Sequence, residues 1–580
     1  MSIIDWLVIG AYFALLAGVV WFTKRKQENA TDFFLGGRSV GWLAIGASIF
    51  AANIGSEHLI GLAGAGASTG LSSAHWEFHA WVLIMMSWVF LPFYYKSGVS
   101  TMPEFLERRF GPRARWILSL VSLAAYVLTK ISVTVFAGAL FFETMLPEIS
   151  ITVGGTTIGS FWIGAFATVV LAGIYSSFGG LTAVVYTDLV QTFIILAGTL
   201  SVTGFALYHL GHSGVVVDGH AANSIADGWG VLKATIKSTG NVEAFGLWHT
   251  LSHKAFPWLG VVVASATIGV WDWCTDQFII QRTLSAKDLT NARRGAIWGG
   301  FLKLAPVFLF LVPGMLGFAL HHNHVALGNG QIFAIPLKAG TQALNGDTVF
   351  PTLVQSLLPV GFRGLVVAGM IAALMSSLAS LFNSVSTLFT VDVYQKLKPD
   401  AAQRTLVFVG RTTTVVMTAL GLLWLPIMKS IAGGGLYQYI QSVQSFLAPP
   451  IVAVFLTGLF WKRMNLRGAV WGLGLGFALG MSKLTLNAVC PNPDGFALIQ
   501  DFYFSGLLLA ASVLVVVVAS LTAPAPDPKR IESLTFATLG EDFRRENRAS
   551  WDWRDVVASG FVLAVVIACY VYFWNWLGST

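Results

Sequence analysis

The residues best placed to do chemistry lie between Ser48 and Gly64, in SIFAANIGSEHLIGLAG, where Asn53, Gly55, Ser56, Glu57 and His58 interrupt an apolar run of membrane-spanning length. A helix that breaks inside a bilayer leaves backbone groups without partners, which is tolerated only where those groups line a cavity and bind something. The chemistry on offer is coordination. Carbonyl oxygens at the end of a half-helix suit a hard cation, and Asn and His side chains suit a polar solute. Carriage of an ion or a solute is therefore the first expectation. Glu77, Lys303 and Asp188 also fall in apolar segments, where an ionisable group is expensive and persists when it is paired or put to use.

Membrane-crossing helices must position these groups. The chain is 55% hydrophobic and 11% charged, with a mean hydropathy of +0.70, and its apolar runs recur at the ~20-residue length that spans a bilayer. The reading is an all-α polytopic membrane protein. About fourteen spans are expected, near residues 5–23, 41–66, 77–98, 115–145, 157–176, 182–209, 254–275, 295–320, 362–392, 405–427, 437–461, 468–489, 503–522 and 555–576. The runs are continuously apolar and do not alternate, which excludes a β-barrel.

The net charge of +7 follows topology and needs no nucleic-acid partner, because Lys and Arg gather in alternate loops. Lys24, Arg25, Lys26 and Arg38 mark the first inner loop, and Arg108, Arg109, Arg113 and Arg115 the next. Arg282, Lys287, Arg293 and Arg294 repeat the pattern, as do Lys396, Lys398 and Arg404, then Lys462, Arg463 and Arg467, then Lys529, Arg530, Arg544, Arg545 and Arg548. Both termini are then expected outside an inner or plasma membrane, with the first apolar run a retained span and not a removed signal peptide. Cys274, Cys490 and Cys569 are expected to be inert, and the His75/His79 pair has no evident third metal ligand. Residues 210–253 and 321–360 read as outer caps and 523–553 as a solvated inner loop, so one domain is expected.

Further stretches carry a resemblance: TMPEFLERRFG (101–111), GGLTAVVYTDLVQT (179–192), WCTDQFIIQRTLSAK (273–287), FLKLAPVFLFLVPGM (301–315), SSLASLFNSVSTLFTVDVY (376–394), YIQSV (439–443) and GLFWKRMNLRGAVWGLGLG (458–476). With the first motif, in this order and at this spacing, the chain resembles the sodium/solute symporter family, in its sodium/glucose cotransporter branch. The resemblance implies a five-plus-five inverted-repeat core, as in LeuT-like transporters, with two discontinuous helices at Gly41–Gly66 and Pro257–Asp276. Residues 1–23 would be an extra N-terminal helix, 41–209 and 254–461 the two repeats, and 468–576 extra C-terminal helices. Gly269 beside Asp272 suggests the second break, although a lone Gly in a membrane helix more often serves packing.

The resemblance also implies a site. Na⁺ ligands would be the carbonyls of Ala51, Ile54 and Ala373 and the hydroxyls of Ser376 and Ser377, and the i,i+3 and i,i+4 spacing puts the last three on one helical face. Asp188 and Ser380 would belong to a second cation site, but Ala379 replaces a hydroxyl found in two-sodium relatives. Sugar ligands would be Asn53, His58, Glu77, Trp273, Lys303 and Gln441, with Tyr437 either in the pocket or in an interfacial aromatic belt.

One departure stands out: the branch commonly has a Tyr before the Trp of WCTDQ, where this chain has Asp272. Asp272 is expected to face the inner aqueous vestibule near the cytoplasmic end of its span, as a substrate-site residue or as a solvated or Lys-paired helix-end charge with no substrate role. The function implied is Na⁺-driven import of a monosaccharide or polyol, with no cofactor beyond the coupling ion. The alternatives are a Na⁺ symporter for a carboxylate, amino acid or vitamin, and a sugar-gated sodium-permeable sensor. An enzyme is the weakest option, because no nucleophile and base pair or metal dyad stands out in the spans.

Overall fold

The computed structural model describes residues 1–23, 36–55, 57–154, 156–240, 242–328, 330–338, 340–431, 435–489 and 499–577, apart from the side chains of 153, 156, 174–180 and 429–431. Lys24, Arg25, Lys26, Ser56 and Cys490 lie outside the described residues. Twelve described helical runs are long and apolar enough to cross a membrane. Two shorter apolar helices, Trp42–Asn53 and Ser160–Gly173, complete the fourteen spans expected from sequence. Among the described residues the strands are confined to two small hairpins in loops, Ile151–Val153 with Thr156–Ile158 and Val216–Val217 with His220–Ala221.

The first discontinuous helix is where the sequence puts it. Its inner half, Trp42–Asn53, ends at Ile54, and its outer half runs through Glu57–Leu62 and Ala63–Thr69. At the break the Gly55 N–H donates back to the Asn53 carbonyl at 2.8 Å and does not continue the ladder to Ala51. The outer half packs backbone to backbone on the helix Val312–His322. A methyl group at Gly66 would collide with the Leu311 carbonyl, and one at Gly314 with the Ala63 carbonyl, so only glycine permits the approach.

The second break is not at Gly269. That residue continues the helix, and a methyl there would lie 3.0 Å from His79 Nε2 and Val82 Cγ2, so Gly269 is a packing residue. The span Trp258–Thr275 ends at Asp276, which is extended (φ −83°, ψ 129°) and caps the following helix Gln277–Leu284 by accepting from the Phe278 N–H. That inner half-helix falls in what the sequence suggested was a basic loop.

Several positive-inside arginines are correspondingly not loop charges. Arg109, Arg282 and Arg293 are fully buried, and Arg293 donates to the Ser87 carbonyl and to Asn547 Oδ1. The stretch 523–553 is also more than a solvated loop. Its helix Glu541–Ala549 buries Phe543 against Phe93, and Lys96 pairs with Glu546 at 2.8 Å.

Helix Ile3–Thr23 docks on Phe362–Thr387, where Asp5 Oδ1 accepts from the Gly361 N–H at 2.8 Å. Among the outer caps, the short turn Gly346–Thr348 tucks Asp347 under Leu436, whose N–H donates to Asp347 Oδ2. Asp347 lies outside the spans, and burial pushes its carboxyl up to about 6.

Candidate functional site

A cavity lined by both polar and apolar side chains opens beside the first break. Its centre is Lys303. Pro306, lacking an N–H, interrupts the helix ladder one turn after Lys303, and the kink between Leu289–Leu302 and Val307–Leu311 turns that side chain inward. The Lys303 ammonium donates to Asn53 Oδ1 at 2.7 Å and Glu77 Oε2 at 2.6 Å, and His58 Nε2 lies 3.4 Å away. The Tyr437 hydroxyl donates to the other Glu77 oxygen at 2.6 Å. Lys303 also sits 5.5 Å from the Trp273 ring centre.

Five elements therefore converge: the broken helix, the following span, the kinked helix, the second broken helix and Leu436–Phe460. Charges at this depth are affordable only in such a fully bonded set. Gln441 reaches the same cavity, and its buried Oε1 has no hydrogen-bond partner, as is also true of His58 Nδ1. Two buried polar atoms left open beside a cavity are places where a polar ligand completes the bonding. Tyr437 is a wall residue and not a belt residue, for it is buried and also lines a second cavity, with Gly64, Lys338 and Asp347.

Asp272 is not an open charge at the end of its span. The span runs on through Thr275 beyond it, and Asp272 is buried at the cavity, accepting from the Lys130 ammonium at 2.6 Å. Lys130 also pairs with Asp276, which in turn accepts from the Tyr126 hydroxyl, and lies 4.5 Å from the Phe278 ring centre. Lys130 and Asp272 of this second charged group, two carboxylates around one lysine, line the same cavity as Lys303.

On the helix Phe362–Thr387, Ala373, Ser376 and Ser377 are buried on one face. Ser377 donates to the Ala52 carbonyl at 3.4 Å, which brings this face onto the break, next to Ala51 and Ile54. Ser376 donates to Asp188, whose other oxygen accepts from Ser48 at 2.5 Å, with Arg282 Nε 4.0 Å away. Asp188 is thus fully buried, with Arg282 from the stretch expected to be a basic loop beside it. The structure joins it to Ser376 and not to Ser380, whose hydroxyl is buried without a hydrogen-bond partner.

Sequence reasoning did not single out Lys130, and it took Glu57 and Asp276 as marks of the helix breaks and His79 as half of a pair with no third metal ligand, without giving any of them a role at this site. Lys130 stands alone in an apolar span and had the same signal that singled out Lys303. His79 had none, because its role depends on tertiary neighbours. Its Nε2 meets Ser265 Oγ at 2.9 Å, and since that hydroxyl donates to the His75 carbonyl, Nδ1 is left to accept from Trp273 Nε1 at 3.4 Å. His75 bonds the Leu247 carbonyl and the Tyr570 hydroxyl, so the two histidines serve different contacts.

The sodium:solute symporter family model matches residues 33–476. Sodium/glucose cotransporter 2 of Rattus norvegicus is 40% identical over 562 residues, covering 94% of this chain and 82% of that protein. Sodium/myo-inositol cotransporter 2 of Homo sapiens is 36% identical over 560 residues, 94% of this chain and 80% of that one. The fold is similar to a substrate-bound, outward-open Na⁺-coupled sialic acid symporter, with a TM-score of 0.71, 20% identity, and coverage of 90% of this chain and 99% of the other. The all-α, inverted-repeat architecture with two discontinuous helices is thereby established.

Proposed function

Because the chain belongs to the sodium:solute symporter family, and so is a multi-pass membrane transporter and not an enzyme, we propose that it is a Na⁺-driven importer of a monosaccharide or a polyol. The observation that carries this reading is a single cavity lined both by the Lys303, Glu77, Asn53 and Gln441 set and by Ser377. Hydroxyl-rich solutes need donors and acceptors interleaved, and here an ammonium, a carboxylate and two amides alternate around one space. Relatives named for glucose and for myo-inositol support both halves of that substrate class.

Asn53, His58, Glu77, Trp273, Lys303, Tyr437 and Gln441 hold the solute, and Asp272 shapes the wall of the same cavity. Ala51, Ile54, Ala373, Ser376 and Ser377 hold the sodium ion. Asp188 orients Ser376, and with Arg282 already beside it a second ion finds less negative charge there than the sequence alone suggests. Residues 41–209 and 254–461 form the halves that move against each other in alternating access, with both termini outside. A ~100 mV potential contributes ~2.3 kcal/mol per Na⁺, and a roughly tenfold gradient adds ~1.4. One ion then sustains roughly a 500-fold solute gradient.

Uptake of labelled hexoses and myo-inositol into proteoliposomes, with Na⁺, K⁺ and H⁺ gradients imposed separately, tests this. Accumulation driven only by Na⁺ is expected. Na⁺ current without accumulation would replace the reading with a sensor, and no response to either solute would move it to another substrate class.

A further inference from the structure

Glu57 is the one acidic cavity residue with no lysine or arginine partner. It opens the outer half of the broken helix, and its carboxylate turns back toward the break. A methyl group added to Gly55 would lie 2.5 Å from Glu57 Oε2 and 3.1 Å from Ser377 Oγ, so the carboxylate and the hydroxyl face each other across the notch that Gly55 leaves empty. Within 4.0 Å its only basic neighbour among the described residues is His58 Nδ1, at 4.0 Å. The other acidic residues lining the cavity are already engaged, Glu77 by Lys303 and Asp272 by Lys130. His58 Nδ1 is itself buried without a hydrogen bond. A carboxylate that lines a cavity within the spans with no lysine or arginine in direct contact among the described residues is placed to meet a cation that arrives.

We infer that the Glu57 carboxylate is a ligand of the sodium ion, reaching it from the cavity side opposite the carbonyls of the break and beside Ser377. The inference rests on the assignment of the sodium site to Ser377 and adds what that assignment lacks, a negative charge in contact with the ion. The other oxygens of the site are neutral carbonyls and hydroxyls, and the nearest other carboxylate, Asp188, is occupied on both oxygens by Ser376 and Ser48. Since Glu57 also lines the solute cavity, its carboxylate is the partition between ion and solute. Bound Na⁺ neutralises it, and the cavity then presents hydroxyl acceptors without an excess negative charge. Gly55 is required for this arrangement, because any side chain there would fill the notch.

The test uses the full-length protein and reads Na⁺ and sugar separately. Na⁺ binding is followed without sugar by ²²Na⁺ binding, and sugar binding is followed at saturating Na⁺, in wild type, Glu57→Gln, Glu57→Asp and Ser377→Ala. Glu57→Gln is expected to raise the half-saturating Na⁺ concentration by about tenfold or more, equivalent to ~1.4 kcal/mol. Its sugar affinity at saturating Na⁺ should move less than threefold, and Glu57→Asp, which keeps the charge on a shorter arm, should fall between. Unchanged Na⁺ binding in Glu57→Gln overturns the inference, whether or not sugar affinity falls. If Ser377→Ala also leaves Na⁺ binding unchanged, the sodium-site assignment fails as well. If Ser377→Ala weakens it and Glu57→Gln does not, only the inference fails. Poor membrane accumulation of Glu57→Gln is covered by Glu57→Asp, where Na⁺ affinity equal to wild type would likewise count against a direct contact.

Discussion

Removing either member of the Lys130–Asp272 pair should have very unequal consequences, because the cluster holds two carboxylates and one ammonium. At 2.6 Å and an effective dielectric of ~20, each contact has a gross Coulomb attraction of ~6 kcal/mol before desolvation. Lys130→Met forfeits both contacts and leaves Asp272 and Asp276 facing each other without a cation. Breaking a buried pair in this way costs ~3–5 kcal/mol. Asp272→Asn leaves Lys130 paired with Asp276. It loses one charged hydrogen bond, worth ~1.5–3 kcal/mol, and gains relief of the carboxylate–carboxylate repulsion, which is of similar size. Stability should therefore change by about 1 kcal/mol or less for Asp272→Asn, and by at least ~2 kcal/mol more for Lys130→Met. Thermal unfolding in detergent, with and without saturating Na⁺, measures the gap. The same variants and Asp272→Tyr, assayed over neutral hexoses, myo-inositol and amino sugars, report whether the wall charge selects substrate. Equal melting temperatures for Lys130→Met and Asp272→Asn would refute the argument, since they would mean that Lys130 is not the common counter-ion.

Other outcomes follow from single contacts. Ser377→Ala should raise half-saturating Na⁺ in uptake assays while melting stays near wild type, because one oxygen is lost and the helix is kept. Gln441→Ala should raise the sugar concentration for half-maximal uptake by the equivalent of one buried hydrogen bond, ~1–3 kcal/mol, with Na⁺ binding without sugar little changed. Glu77→Gln should be more severe, because it strips Lys303 of its counter-ion and disturbs Tyr437 as well. Asp347 supplies a pH term. Its folded carboxyl is raised to about 6, so its contribution to stability is fully present below the unfolded value, near ~3.9, and is lost as pH rises through about 6. Asp347→Asn should flatten the pH dependence of melting between those limits, which a pH series of unfolding curves would show.

The helix count was legible because apolar length is nearly sufficient evidence for a span, and the first break was legible because Asn53, Glu57 and His58 are costly in hydrocarbon. The second break was not. Asp276 looks like a residue at the edge of a basic loop, and only the packing of Gln277–Leu284 under the core makes it an internal N-cap. Position misled in the same way for Arg282 and Arg293, which obey a topology rule and yet are buried, each meeting carbonyl or hydroxyl oxygens supplied by other helices. Asp272 illustrates the limit most clearly. Its exposure was inferred from its own helix, whereas its environment is set by Lys130, 142 residues earlier.

At the proposed sites ion and solute meet on the two sides of one break, and this decides how coupling can work. Ser377 grips the Ala52 carbonyl, while the next side chain, Asn53, is held by Lys303 in the solute network. An ion that fixes the backbone at residues 51–54 must also fix where Asn53 and His58 point. By linkage, whatever factor Na⁺ contributes to solute affinity, solute contributes to Na⁺ affinity, and such couplings are typically ~1–3 kcal/mol. A rigid uninterrupted helix would carry the same side chains but would have no second arrangement for either ligand to favour. The break is therefore needed for the coupling as well as for the ligands, and Gly55, which leaves room beside it for the Glu57 carboxylate and the Ser377 hydroxyl, matters to both proposed sites while contributing no side chain to either.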